Sequence, residues 1–91
     1  MAYNRNVCKT FRHTQNNTLI QLESQMCSEV IVCPSKETTF YDFRAPSDGF
    51  IVPADQVFTF RGLTNSNQLT AIGASGDLCY RTQYFSYSPG F

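Results

Sequence analysis

Charge is scarce in this sequence: only 15% of its 91 residues are Asp, Glu, Lys or Arg, against roughly a quarter in an ordinary soluble domain. Seven basic residues balance seven acidic ones, and the one basic cluster, Arg5, Lys9 and Arg12, falls in the first dozen positions. Binding to a polyanion draws on several clustered cations, so the charge pattern argues against nucleic acid as a partner. Histidine is equally scarce. With His13 as the only imidazole, a thiol or hydroxyl nucleophile has almost no choice of base. A Cys8–His13 dyad would need the chain to turn back within five residues, and no glycine-rich oxyanion loop accompanies it. Long apolar runs are missing too. Nothing approaches the roughly 18 residues of a membrane-spanning helix, and the opening stretch MAYNRNVCKTFRHTQNN carries no apolar segment of the signal-peptide kind. Cytoplasmic synthesis and no membrane partner are therefore expected.

Other chemistry is absent as a pattern. There is no Walker sequence, dinucleotide fingerprint or EF-hand loop, so no cofactor and no small-molecule substrate are expected. The acids Asp42, Asp48, Asp55 and Asp77 have ordinary roles available. The last three sit in turn sequences, and Asp42 can pair with Arg44, Arg61 or Arg81. Cys8, Cys27, Cys33 and Cys79 lack the close spacing of zinc knuckles, so no metal is expected. Two readings of the four thiols remain. An even number permits two bridges, whereas reduced cysteines serve as small buried hydrophobes, and cytoplasmic synthesis favours the second. The chain is not expected to be an enzyme.

What the sequence does hold is 42% hydrophobic residues, enough for one domain of this length, which buries roughly 60 to 65% of its unfolded surface. Asn, Gln, Ser and Thr cover much of the rest. Such groups meet a protein partner at lower desolvation cost than charges do. Apolar and β-branched residues come in short runs separated by turn chemistry, with no sustained helical period. Eight strands are predicted: Val7–Arg12, Thr18–Glu23, Glu29–Cys33, Thr38–Phe43, Gly49–Val52, Gln56–Arg61, Gln68–Ile72 and Leu78–Phe85. Asn16–Asn17, Ser47–Asp48–Gly49 and Ser75–Gly76–Asp77 are the clearest reversals between them. The fold expected is a small antiparallel β-sandwich or barrel, with residues 1–91 as a single β domain.

Alternation assigns faces. Phe58 and Phe60 point to the core, opposite Val57, Thr59 and Arg61; Leu78, Tyr80 and Tyr84 lie opposite Cys79, Arg81 and Gln83, with Leu78 and Tyr80 in the core. The run Val30-Ile31-Val32-Cys33 does not alternate in polarity, which suits a strand covered on both faces, within the domain or beneath a neighbouring subunit. Residues 1–6 and 86–91 read as extended N- and C-terminal arms. The closing segment carries Tyr84, Phe85, Tyr87 and Phe91, and aromatics are common interface anchors. Arg61 leaves a strand through Gly62 beside a polar loop. It either presents a fork of donors to a partner, together with Asn65 and Asn67, or pairs with Asp42 or Asp77 while the Asn residues satisfy turn backbones. The partner-binding candidates are Tyr3, Arg5, Arg61, Asn65, Asn67, Tyr84, Tyr87 and Phe91.

The segment from Val52 to Ala71, VPADQVFTFRGLTNSNQLTA, followed by Tyr80-Arg81-Thr82-Gln83-Tyr84-Phe85, resembles small structural proteins of tailed bacteriophages, in particular capsid decoration or cement proteins. The resemblance covers about the C-terminal half. It implies a β-rich virion subunit, assembled in the host cytoplasm, that sits on the outer capsid surface, touches the major capsid protein and neighbouring copies of itself as a homodimer or homotrimer, and reinforces the shell. Four cysteines exceed what such a protein needs, as core fillers or as bridges formed after lysis. The alternative is a tail-associated or free carbohydrate-binding β-sandwich, in which Tyr80, Tyr84 or Tyr87 stacks on a sugar ring.

Overall fold

The computed structural model describes the backbone of residues 4–87 and the side chains of residues 9–84. Each of the eight apolar runs forms a strand: β1 (Asn4–Gln15), β2 (Ile20–Gln21), β3 (Glu29–Pro34), β4 (Thr38–Asp42), β5 (Ala45–Val52), β6 (Phe58–Arg61), β7 (Leu69–Gly73) and β8 (Gly76–Tyr87). The helical content of the described residues is one 3-10 turn, Ser66–Gln68. The strands form two antiparallel four-stranded sheets, in the orders β1-β8-β3-β6 and β2-β7-β4-β5.

This order follows from one long hairpin rolled on itself. Midway along the chain, β4 turns into β5 at Phe43–Arg44, and outward from that turn β4 pairs with β5, β3 with β6, β2 with β7 and β1 with β8. Rolling the ribbon adds the pairs β3–β8 and β4–β7, which complete the sheets. Only the β4–β5 connection stays within a sheet. The result is the two-Greek-key β-sandwich known as a jelly roll.

Leu22, Val30, Val32, Phe40, Val52, Phe60, Leu69, Leu78 and Tyr80 fill the space between the sheets. Burying each large apolar side chain is worth about 1.5–3 kcal/mol before chain entropy is set against it. Phe60 lies in the core with Phe58 packed against it, as alternation requires. Phe40 and Phe60 are in ring contact at 5.3 Å, and Phe50 and Phe58 at 4.4 Å, at the side of the sandwich where β5 and β6 are the sheet edges. Tyr80 stacks on Phe11 at 5.2 Å, and its hydroxyl accepts a hydrogen bond from the Glu23 amide at 2.9 Å. Burial pushes the Tyr80 phenol above its ordinary pKa. A ring held in this way is unavailable to a sugar.

Three expectations change. Ser47–Asp48–Gly49 is no reversal but the middle of β5. The chain turns earlier, where the Asp42 carboxylate accepts from the Arg44 amide at 2.9 Å, and Gly49 serves close approach: a Cβ there would stand 2.6 Å from Thr39 Cγ2 and 3.2 Å from the Tyr41 ring. Within the chain, the run Val30–Cys33 is fully buried on one face only. Val30 and Val32 are buried, while Ile31 and Cys33 lie half-buried on the outer face of the first sheet. Of the thiols, Cys27 is buried, which raises its pKa, but Cys33 and Cys79 are half-buried and free. The expected arms are paired along part of their length: the register of β1 and β8 continues to Asn4↔Tyr87, so residues 4–6 and 86–87 run on as strand. Residues 1–3 and 88–91 of those arms lie outside the described residues. β3 accompanies β8 only as far as Gln83, so beyond it the two strands run on as a two-stranded ribbon.

Candidate docking surface

An antiparallel sandwich ordinarily turns polar side chains outward. The outer face of the second sheet departs from that rule. Thr39 stands opposite Ile51 on β5 and opposite Ile72 on β7, and the β2–β7 register carried one residue back places Leu19 opposite Ile72. Leu19, Ile72, Thr39 and Ile51 thus form one row across all four strands. Leu19 and Ile51 are each 55% exposed. Alongside runs the row Gln21, Thr70, Tyr41, whose last ring lies over Gly49.

The turn between β4 and β5 raises a wall at one end of these rows. Phe43, 51% exposed, projects there, with the Arg44 guanidinium 5.4 Å over its ring. Leu19, Tyr41, Phe43, Pro46, Thr70 and Ile72, with Asp42, Ser47 and Gln68, enclose an open groove of about 720 Å³. A contiguous apolar surface of this kind on a small domain is a candidate interaction site. A second, smaller groove of about 340 Å³ runs past Phe50, Ile51, Val57 and Phe58 along the β5 edge.

The strongest polar groups of the main groove are already committed. The Asp42 carboxylate accepts from Arg44 Nη2 at 2.5 Å and from Arg44 Nε at 3.0 Å, a pairing that lowers the Asp42 pKa and raises that of Arg44. The Gln68 amide closes a capping box: its Oε1 accepts from the Thr64 and Asn65 amides, and its Nε2 donates to Thr64 Oγ1. What this groove offers a ligand is therefore apolar area edged by hydroxyls. Among the described residues no group of three or more His, Cys, Asp or Glu side chains could hold a metal ion.

Of the residues chosen from sequence, Arg61, Asn65, Asn67 and Tyr84 lie toward the end of the sandwich where the β1–β8 ribbon leaves it, and none of these four lines the groove. Arg5 and Tyr87 lie in that ribbon by backbone register, opposite Ser86 and Asn4, and their side chains are outside the described set, as are Tyr3 and Phe91 altogether. Tyr84, half-buried, stands on the ribbon opposite Val7. Arg61 pairs with its cross-strand neighbour Glu29 at 3.3 Å, not with Asp42 or Asp77, and most of its side chain is in solvent. Asn65 caps the 3-10 turn: its side chain accepts from the amides of Asn67 and Gln25 and donates to Ser24 Oγ. Asn67 is half-buried, and its carbonyl accepts from Gln21. The Asn65 side chain and the Asn67 backbone are thus engaged within the chain. Sequence reasoning missed Leu19, Phe43, Ile51 and Ile72, because each looks like an ordinary strand residue until register puts them on one outer face.

No family model matches the chain, and no curated protein matches it. Among solved structures the chain is similar to one described as "Bacillus endospore appendages form a novel family of disulfide-linked pili", at 16% identity over 91% of this chain and 87% of that chain, with a TM-score of 0.44.

Proposed function

We propose that this protein is a structural subunit that docks on another protein through the outer face of its second sheet, and that it decorates a phage capsid by binding the outer surface of the major capsid protein. The observation that carries the docking reading is the apolar row Leu19–Ile72–Thr39–Ile51 beside the groove at Tyr41 and Phe43. Covering such a row against a partner returns about 25 cal/mol per Å² of apolar surface, and near-zero net charge puts no electrostatic barrier in the way of association. The capsid as partner is supported by the resemblance of residues 52–71 and 80–85 to decoration proteins. In that setting the subunit belongs to the virion surface, as a dimer or trimer.

The carbohydrate-binding alternative has one observation in its favour, since Tyr41 and Phe43 flank an open groove. Against it, sugar recognition needs free convergent hydrogen-bonding groups, and the Asp42 carboxylate and Gln68 amide are spent within the chain.

The test mixes the purified chain with capsids stripped of decoration and measures bound copies against concentration. Saturable uptake at a fixed copy number is expected. Leu19→Glu and Ile51→Glu place charges on exposed positions, where folding tolerates them, and each is expected to weaken uptake by tenfold or more. Lys36→Glu, at an exposed position away from the row, is expected to bind as the parent does. A chain that ignores capsids but is retained on a glycan array through Tyr41 and Phe43 would overturn the docking reading.

A further inference from the structure

Cys33 on β3 and Cys79 on β8 are direct partners in the register of two central strands of the first sheet. Partners in an antiparallel pair point to the same face, here the outer one, and both thiols are half-buried and free. The phase of the hydrogen bonds sets their spacing. The Ser35 amide donates to the Asp77 carbonyl at 2.8 Å, which makes 35/77 a hydrogen-bonded pair, and 33/79, two residues on along each strand, has the same phase. In such pairs the Cα atoms stand about 5.5 Å apart, and disulfides have Cα separations clustered at about 5.5–6 Å. The Cβ atoms of directly opposite residues stand about 4.5–5.5 Å apart, against about 3.5–4.5 Å in a bridge, so joining the two sulfurs draws the strands slightly together at this pair. On the other side of β8, Arg12 stands opposite Cys79, which puts a cation beside that thiol; Cys79 first, and Asp77 with it, hold the Arg12 pKa above its ordinary value.

We propose that Cys33 and Cys79 form a cross-strand dithiol site that small-molecule disulfides oxidise to an intramolecular disulfide, with Arg12 as counter-charge to the attacking sulfur. The Cys79 thiolate attacks one sulfur of oxidised glutathione, forming a mixed disulfide and expelling one glutathione thiolate. The Cys33 thiolate then attacks the Cys79 sulfur, forming the Cys33–Cys79 bond and expelling the second. Two protein thiols are oxidised, one glutathione disulfide is reduced, and the two thiol protons pass to the departing glutathiones. The site lies on the sheet opposite the proposed docking face and does not depend on that reading. Cys27, which is buried between the sheets, takes no part.

The experiment equilibrates the reduced full-length chain with glutathione buffers of rising oxidised fraction, blocks remaining thiols with an alkylating agent, and reads intact mass and linked peptides. The expected product has lost two hydrogens, keeps two alkylatable thiols, and yields one linked peptide joining Cys33 to Cys79. Cys33→Ser and Cys79→Ser should each retain a single bound glutathione instead, while Cys8→Ser and Cys27→Ser should form the same link as the parent. Arg12→Gln, which removes the cation opposite Cys79, should slow the first exchange roughly threefold. Links through Cys8 or Cys27, links between chains in dilute solution, or no loss of mass would each overturn the site; an unchanged rate in Arg12→Gln would remove the arginine from it.

Discussion

Asp42 shows how the fold chooses among partners that a sequence leaves open. Arg44, Arg61 and Arg81 could all serve it. Arg44 takes the place because it lies two residues away across a tight turn, where the pair orders the fewest additional dihedrals, and its guanidinium also donates to the Arg61 carbonyl at 2.9 Å, tying the β4–β5 turn to the end of β6. Two variants separate the contributions. Asp42→Asn keeps an oxygen for the Arg44 amide and removes only the charge pair, with an expected cost of about 0.5 kcal/mol for an exposed ion pair. Asp42→Ala also removes the turn bond and should cost about 1–2 kcal/mol. Because Arg44 holds the Asp42 carboxyl below the ordinary range, the charge contribution is complete above the unfolded-state pKa of about 4 and is lost as pH falls through the lower folded-state value. Thermal unfolding should therefore show the gap between parent and Asp42→Asn closing on acidification below pH of about 4. A gap that persists or widens there would mean that the pair contributes nothing.

At the scale of elements, the loop from Gly62 to Gln68 behaves as a built structure. Asn65 caps the 3-10 turn, Gln68 reaches back to two amides, and Ser66, fully buried, donates from its hydroxyl to the Glu23 carbonyl. Those bonds join the β6–β7 connection to the segment before β3, which the isolated bridge Met26↔Asn65 reinforces. Asn65→Ala removes three of the bonds at once and should lower stability by about 1–2 kcal/mol, the upper range for a lost cap, measured as a shift of the urea midpoint at constant slope. A loss below a few tenths would mean that the side chain is solvated and free for a partner. Elements of this fold were legible where side chains alternate or turn chemistry is local. All eight strands lie where apolar runs lie, and Phe58, Phe60, Leu78 and Tyr80 face as alternation demands. Gly49 misled because a glycine that makes room under Thr39 and Tyr41 looks the same in sequence as one that turns a chain. The docking row was illegible for a different reason. It joins residues 19, 39, 51 and 72, and nothing local to any of them fixes the register that brings them together.

For the whole molecule, the same non-local wiring governs stability and its response to oxidation. Pairing β1 with β8 and β3 with β8 joins positions far apart in the chain, so most of the loop-closure entropy is lost before the sheets are complete. A bond between Cys33 and Cys79 would pre-close a loop of about 47 residues in the unfolded chain, worth up to about 4 kcal/mol in the chain-entropy account. It would also clamp the two inner strands of the first sheet, where their register is already set by the hydrogen-bonded pair at 35/77. Drawing the two Cβ atoms together at that pair takes back part of the gain. The oxidised chain should consequently unfold at higher temperature than the reduced chain, by roughly 4–8 °C for each kcal/mol retained. Cys33→Ser, carried through the same oxidation, should show no such rise. If the linked chain unfolds at a lower temperature than the reduced one, the bond strains the β3–β8 pair, and the two cysteines are not held at the spacing that their register implies.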